Sequence, residues 1–332
     1  MTTAPPLLEA RDVVQEFVLR DHGGVKGGTV HAVAGVSFTL DNGETLGIVG
    51  ETGSGKSTLA RCILQAPRPK SGEIRFRGVD LVHLRRRDLA EARRDLQMIF
   101  QDPFTSLNPT WRVAEIVEEP LVAHKVGPRQ QRRLLVGELL ERVGLDPARF
   151  GTSRPGELSG GQAQRVAIAR ALALSPALIV CDEVVSSLDV LVQAQVLNLF
   201  ERLRSELGLA YLFIAHDLAV VKQVSDRVAV LYLGKLCEVG PTSTLYEAPL
   251  HPYTLALLES IPEPDPKRSK RRLRTIAGDM PSPIDPPSGC RFRTRCPRAE
   301  ERCSLEEPEL RSLGVPAHLV ACHFPLSPRV AP

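Results

Sequence analysis

A strand, a glycine-rich turn and a helix follow one another between residues 45 and 63. Residues 45–49 (Thr-Leu-Gly-Ile-Val) form a short apolar run, the type expected of a buried strand. Gly50-Glu-Thr-Gly-Ser-Gly-Lys-Ser57 comes next, with the spacing G-x-x-x-x-G-K-[S/T]. From Ser57 onward the chain reads as helix. In such a turn successive N–H groups curl around an anion, and glycine lets the backbone approach it closely. The helix N-terminus adds a partial positive charge. Gly50, Glu51, Thr52, Gly53, Ser54, Gly55, Lys56, Ser57 and Thr58 are therefore candidate ligands of a nucleoside triphosphate, expected to be ATP. Lys56 brings an ammonium to the β and γ phosphates, and Ser57 brings a hydroxyl to Mg²⁺.

Further polar residues end predicted strands. Residues 178–181 are apolar and lead into Asp182-Glu183. Acids at the carboxyl edge of a sheet lie where ligands bind in α/β folds. Asp182 is the expected Mg²⁺ ligand and Glu183 the general base for an attacking water. His216 follows the apolar run 211–215, where an imidazole can hydrogen-bond a γ-phosphate. Gln101 follows residues 96–100, within reach of Mg²⁺ or the water in the same arrangement.

A second glycine-bearing turn lies 103 residues beyond Lys56, at Leu158-Ser159-Gly160-Gly161-Gln162, before a helix expected over 163–174. Ser159 and two glycines at a helix start make another anion site. One γ-phosphate hardly needs two such starts from one chain. A head-to-tail dimer, in which each chain closes the other's nucleotide, uses both.

Strands are also expected over 7–17, 30–40, 210–215 and 228–233. Helices are expected over 190–207 and 218–223. Alternating strands and helices indicate a largely parallel α/β sheet, with the charged helical stretch 103–155 inserted into it. The longest apolar runs are about six residues, far short of the roughly 18–20 that span a membrane. The N-terminus has no signal-peptide pattern, so the chain is expected to stay in the cytosol. Composition changes near residue 251. The last 82 residues hold 14 of 27 prolines and 4 of 7 cysteines. Their 13 basic and 10 acidic residues supply the whole net charge of +3, too small an excess to argue for nucleic acid. The basic, Pro-rich stretch including residues 267–274 reads as a linker or wrapping arm.

In their order these motifs resemble ATP-binding subunits of ABC transporters, over residues 7–240. The phosphate loop, Gln101, the Leu158–Gln162 signature, the acidic strand, Ser187-Leu188-Asp189 and His216 carry the resemblance. Met98-Ile-Phe-Gln-Asp-Pro-Phe-Thr-Ser-Leu-Asn-Pro109, Val192-Gln-Ala-Gln-Val-Leu-Asn198 and His251-Pro-Tyr-Thr254 narrow it to oligopeptide/dipeptide importers. Nickel importers share the architecture.

The resemblance implies a P-loop NTPase core of class α/β, the ABC cassette. An N-terminal antiparallel β subdomain, a helical subdomain at about 103–175 and a cysteine-bearing extension would complete it. The cassette would occupy residues 1–250 and the extension 251–332. It implies a sandwich dimer with itself or a related ATPase. Ser159, Gly160, Gly161 and Gln162 would reach the partner's ATP, and Asp189 would link the two sites. Phe17 takes the place of the aromatic that stacks on adenine. ATP hydrolysis would power peptide import through two permease subunits at the cytoplasmic face of the membrane, served indirectly by an extracytoplasmic binding protein. The competing functions are import of nickel or another small solute, and a soluble ABC ATPase outside transport. Two departures stand out: Val184-Val185, where the family has proline next to the glutamate, and Ala163 in place of a basic residue.

The tail carries Cys290-x5-Cys296-x6-Cys303-x18-Cys322. Structural zinc favours tight C-x2–4-C pairs, and none occurs here. Four thiolates can hold an iron–sulfur cluster, and the tail resembles one that carries [4Fe–4S] in peptide importer ATPases. Zinc and no metal remain open on the residues alone. His323 is an alternative ligand. Arg291, Arg293, Arg295 and Arg298 would offset the cluster's charge or form a solvated basic face. Cys62, Cys181 and Cys237, among apolar neighbours, are expected to be buried packing residues.

Overall fold

The computed structural model describes residues 5–20, 27–261, 278–314 and 317–327. The basic stretch 267–274 lies outside them, as does part of the glycine-rich stretch after residue 21. Two compact units are formed. One gathers residues from 1–40, 45–82 and 214–332; the other gathers 41–44 and 83–213.

In the first unit, Leu8–Leu19 pairs antiparallel with both Gly28–Leu40 and Ser71–Phe76, and Val79–Asp80 extends the sheet. This is the expected antiparallel β subdomain. Leu8, Val13, Val33, Val36 and Leu40 are fully buried on it. The phosphate-loop strand Thr45–Val49 runs parallel to Arg227–Tyr232. All five of its residues are buried, which is why it reads as a continuous apolar run rather than an alternating one. Lys235–Pro241, Leu319–Val320 and Arg311–Ser312 follow antiparallel, so the C-terminal segment adds strands to this layer.

Glu238, fully buried, ties that segment down. Its carboxylate accepts the Leu250 and His251 N–H groups at 2.7 and 2.9 Å and meets His318 Nε2 at 2.7 Å. A buried carboxylate is tolerable only with such partners.

In the second unit, Leu96–Ile99 runs parallel to Leu178–Asp182, and Ala210–Ile214 lies beside the latter. Helix Val190–Leu207 buries Val196, Leu199, Phe200 and Leu203. Phe200 packs edge-on against Tyr211 and Phe213, with centroids 5.3 and 5.9 Å apart. The stretch 103–155 is helical, as its composition suggests: Pro103–Ser106, Val113–Ala123, Arg129–Arg142 and Pro147–Phe150. Asp102 and Asp146 start two of these by capping, each just before a proline in the first turn. The helix expected from Ala163 starts earlier, at Gly160, because Ser159 caps it. Residues 160–162 are thus helical rather than loop.

Candidate nucleotide site

In the first unit the loop after Val49 forms a backbone cradle. Gly55 has φ +105°, and a Cβ there would lie 2.1 Å from the Ala32 carbonyl oxygen. No other residue fits that position. The helix Lys56–Ile63 starts directly from it. Lys56 is only 4% exposed, and its ammonium donates to the Gly50 and Glu51 carbonyls at 2.7 and 3.0 Å. Among the described residues the buried Ser54 hydroxyl has no hydrogen-bond partner. A glycine cradle, a lysine seated in it and an unmatched hydroxyl fit a polyphosphate ligand.

Tyr253 and Arg295, both outside the motif, help to hold this loop. The Tyr253 hydroxyl accepts the Glu51 N–H at 3.0 Å. The Arg295 guanidinium donates to both Glu51 carboxylate oxygens at 3.1 and 3.0 Å. Sequence reasoning placed Arg295 with the thiols; the only hint of Tyr253 was its family motif.

Phe17, opposite Val30 on its strand, is 40% exposed. A half-exposed aromatic can offer a face to a base. His216 is exposed at the end of its strand, next to Asp217, which caps the following helix by accepting the Ala219 N–H at 2.7 Å.

The second unit gathers the acids and the glutamine. Asp182 ends its strand and is 4% exposed. Glu183 adopts φ +51°, a left-handed conformation costing roughly 1–2 kcal/mol for a residue with a side chain. Its Oε2 accepts the Gln101 side-chain amide at 2.8 Å. Val184 and Val185 are 1% and 3% exposed. Apolar side chains suit these buried positions. Ala163, fully buried, gives the same reason for lacking a basic group.

The Ser159 and Gln162 side chains are used locally. Ser159 Oγ accepts the Gln162 N–H at 3.3 Å, and Gln162 Oε1 accepts the Ser159 N–H at 2.9 Å, a reciprocal cap. Gly161 has a packing role as well. A Cβ there would come within 2.4 Å of Val192 Cγ1, whereas one at Gly160 would sit 3.4 Å from Leu188. Asp189 caps Val190–Leu207 by accepting the Val192 N–H at 3.0 Å.

The four tail thiols share one neighbourhood. Burial pushes Cys290 and Cys322 up to about 11, and Cys322 also feels the charges of Cys290, Cys296 and Cys303. Among the described residues, no three His, Cys, Asp or Glu side chains converge on a single metal ion. His323 Nε2 pairs with the Glu306 carbonyl at 3.0 Å. Two of the arginines expected around the thiols turn elsewhere: Arg295 to Glu51 of the phosphate loop, and Arg291 to the Leu233 carbonyl. Cys62, Cys181 and Cys237 are buried, as expected.

Cradle, seated lysine, acid pair and capped signature helix define a nucleotide-binding cassette. Residues 33–186 match the ABC transporter family, and residues 237–303 match the oligopeptide/dipeptide transporter C-terminal region. The chain is 50% identical to the oligopeptide transport ATP-binding protein AppF of Bacillus subtilis, over 96% of this chain and 97% of that one. It is 47% identical to the oligopeptide transport ATP-binding protein OppF of Salmonella typhimurium, over 95% and 97%. Among solved structures it resembles the ATP-binding cassette MJ0796, a dimer in a post-hydrolysis state bound to ADP and Pi. That match has TM-score 0.63 and 29% identity, and covers 71% of this chain and 98% of the other. The chain belongs to the family of oligopeptide/dipeptide ABC transporter ATP-binding proteins.

Proposed function

We propose that this chain hydrolyses ATP to drive peptide uptake through separate permease subunits, bound at the cytoplasmic face of the membrane. Two cassettes pair head to tail, and each closes the ATP held by the other. The observation that carries this is the glycine-started helix Gly160–Leu172 in a chain that already has a complete phosphate loop. The names of the relatives support the peptide class.

The chemistry follows from the side chains. Lys56 leaves the Gly50 and Glu51 carbonyls for the β and γ phosphates. Ser57 and Asp182 are the residues to hold Mg²⁺, with Gln101 in reach through water; bound there, the ion neutralises phosphate charge. Glu183 takes a proton from water as its oxygen bonds to the γ-phosphorus and the bond to the ADP oxygen breaks. Gln101 orients that carboxylate. His216 hydrogen-bonds the γ-phosphate, and Phe17 stacks on adenine. From the partner chain, Ser159 and Gln162 exchange their mutual cap for the nucleotide, Gly160 and Gly161 leave room for it, and Asp189 relays the closure.

Among the described residues no helix is long and apolar enough to cross a membrane. In this reading the permeases supply the path. Phe100, Phe104 and Trp111 are 42%, 43% and 40% exposed and bracket Gln101 in sequence. They suit an apolar partner segment. We assign residues 1–250 to the engine and 251–332 to the extension. Cys290, Cys296, Cys303 and Cys322 are the candidate ligands of a [4Fe–4S] cluster. Its support is the shared neighbourhood of the four thiols, a ligand set of the type that holds such clusters. Brown colour lost in Cys296→Ser would support this; a colourless protein purified without air would sink it.

The function is tested by reconstitution. The chain should co-purify with two permeases and support ATP-dependent peptide uptake into vesicles. Co-purification with ribosomes, or uptake of nickel but no peptide, would overturn it.

A further inference from the structure

Glu51 is the second residue of the phosphate loop, and separate side chains hold its N–H, its carbonyl and its carboxylate. Its N–H goes to the Tyr253 hydroxyl, its carbonyl seats the Lys56 ammonium, and its carboxylate takes the Arg295 guanidinium. The Arg295 side chain is 6% exposed and that of Glu51 26%, so this pair is partly withdrawn from water. Ion pairs of this kind are stronger than exposed ones, and an unpaired member is costly.

Arg295 is itself well anchored. It lies one residue before Cys296, and its N–H donates to the Phe292 carbonyl at 3.0 Å. Phe292 is 2% exposed and packs on Tyr232 and Tyr253, with both centroid distances 5.2 Å. The guanidinium lies over the Tyr232 ring, 5.9 Å from its centroid. The segment bearing the cysteines thus presents one fixed cation to the phosphate loop.

A carboxylate in a polyphosphate cradle would repel the ligand unless neutralised. The loop's own cation, Lys56, goes to the Gly50 and Glu51 carbonyls, and the cation on the Glu51 carboxylate comes from outside the motif. We propose that Arg295 is a positioning residue for nucleotide binding: it cancels the Glu51 charge and holds the loop in the shape that receives phosphate. The proposal rests on reading residues 50–57 as the phosphate loop.

The test measures affinity of the full chain for a fluorescent ATP analogue, with KM and kcat in the assembled complex. Arg295→Gln should weaken binding and raise KM about tenfold, with kcat at saturation within about twofold. The double variant Glu51→Gln/Arg295→Gln should regain affinity to within about threefold of Glu51→Gln alone, because no bare carboxylate is left. A merely structural arginine would give no such rescue. Arg295→Lys should bind better than Arg295→Gln. Arg295→Met keeps the apolar stem and replaces Arg295→Gln if the latter folds poorly. Unchanged affinity in Arg295→Gln, or a double variant as weak as the single, overturns the proposal while leaving the nucleotide site standing. Lys56→Ala separates the two readings: if it binds nucleotide as well as wild type, the phosphate-loop reading fails and the proposal with it.

Discussion

Gln101 donates its side-chain amide to Glu183 Oε2 at 2.8 Å, joining residues 82 positions apart. The two follow neighbouring parallel strands, Leu96–Ile99 and Leu178–Asp182. The sheet thus brings the glutamine onto the carboxylate proposed to activate water. Gln101→Ala should lower kcat about tenfold or more, within the range of a positioned base, and change ATP affinity by less than about threefold. Full turnover in steady-state hydrolysis would reduce the contact to packing.

Gly161 lies close to Val192 on the neighbouring helix. Gly161→Ala should destabilise the chain by about 1–3 kcal/mol, the usual cost of overpacking. Val192→Ala in the same chain should recover most of the loss. Gly160→Ala, with its nearest neighbour at 3.4 Å, should cost far less. Urea unfolding midpoints of the three variants and the wild type check this.

His251 makes stability depend on pH. Its Nδ1 accepts the Tyr253 N–H at 3.0 Å, which requires the neutral ring. Burial pushes its pKa down to about 4, against an opposing pull from Glu238. The unfolded chain takes up this proton near pH 6.5. Between those values the unfolded state binds more protons, so this contribution is complete above about pH 6.5 and is lost as pH falls toward about 4. The loss from this group is up to about 3 kcal/mol. His251→Asn keeps a capping oxygen but cannot titrate. Its stability should therefore vary less across this range, as read by denaturant midpoints at each pH.

Phe17 is 40% exposed on its strand. Phe17→Ala should raise the KM for ATP several-fold, consistent with the roughly 0.5–1.5 kcal/mol of an aromatic pair, and leave kcat unchanged. Phe17→Trp should keep wild-type affinity. Equal KM values for all three would remove the stacking role.

The parts that sequence exposed were those with local causes. Buried strands read as apolar runs, and the phosphate loop carries Gly55 because a Cβ there would meet the Ala32 carbonyl. The helix starts at Gly160, three residues before the expected Ala163, because glycines suggest loop whereas the Ser159 cap lets them form the first turn. The pair of Arg295 with Glu51 was not legible. The two residues are 244 positions apart, and arginines among cysteines suggest charge balance for the thiols before they suggest a loop brace. The packing of Gly161 against Val192 was hidden for the same reason, since Val192 belongs to another helix.

Glu183 carries the central claim that this chain is an ATP-driven engine. The most direct measurement is ATP hydrolysis by the assembled complex with Glu183→Gln, alongside ATP binding by the same variant. Loss of turnover by about 100-fold or more with binding retained is the predicted result, as expected on removing a general base. Hydrolysis at the wild-type rate would contradict it.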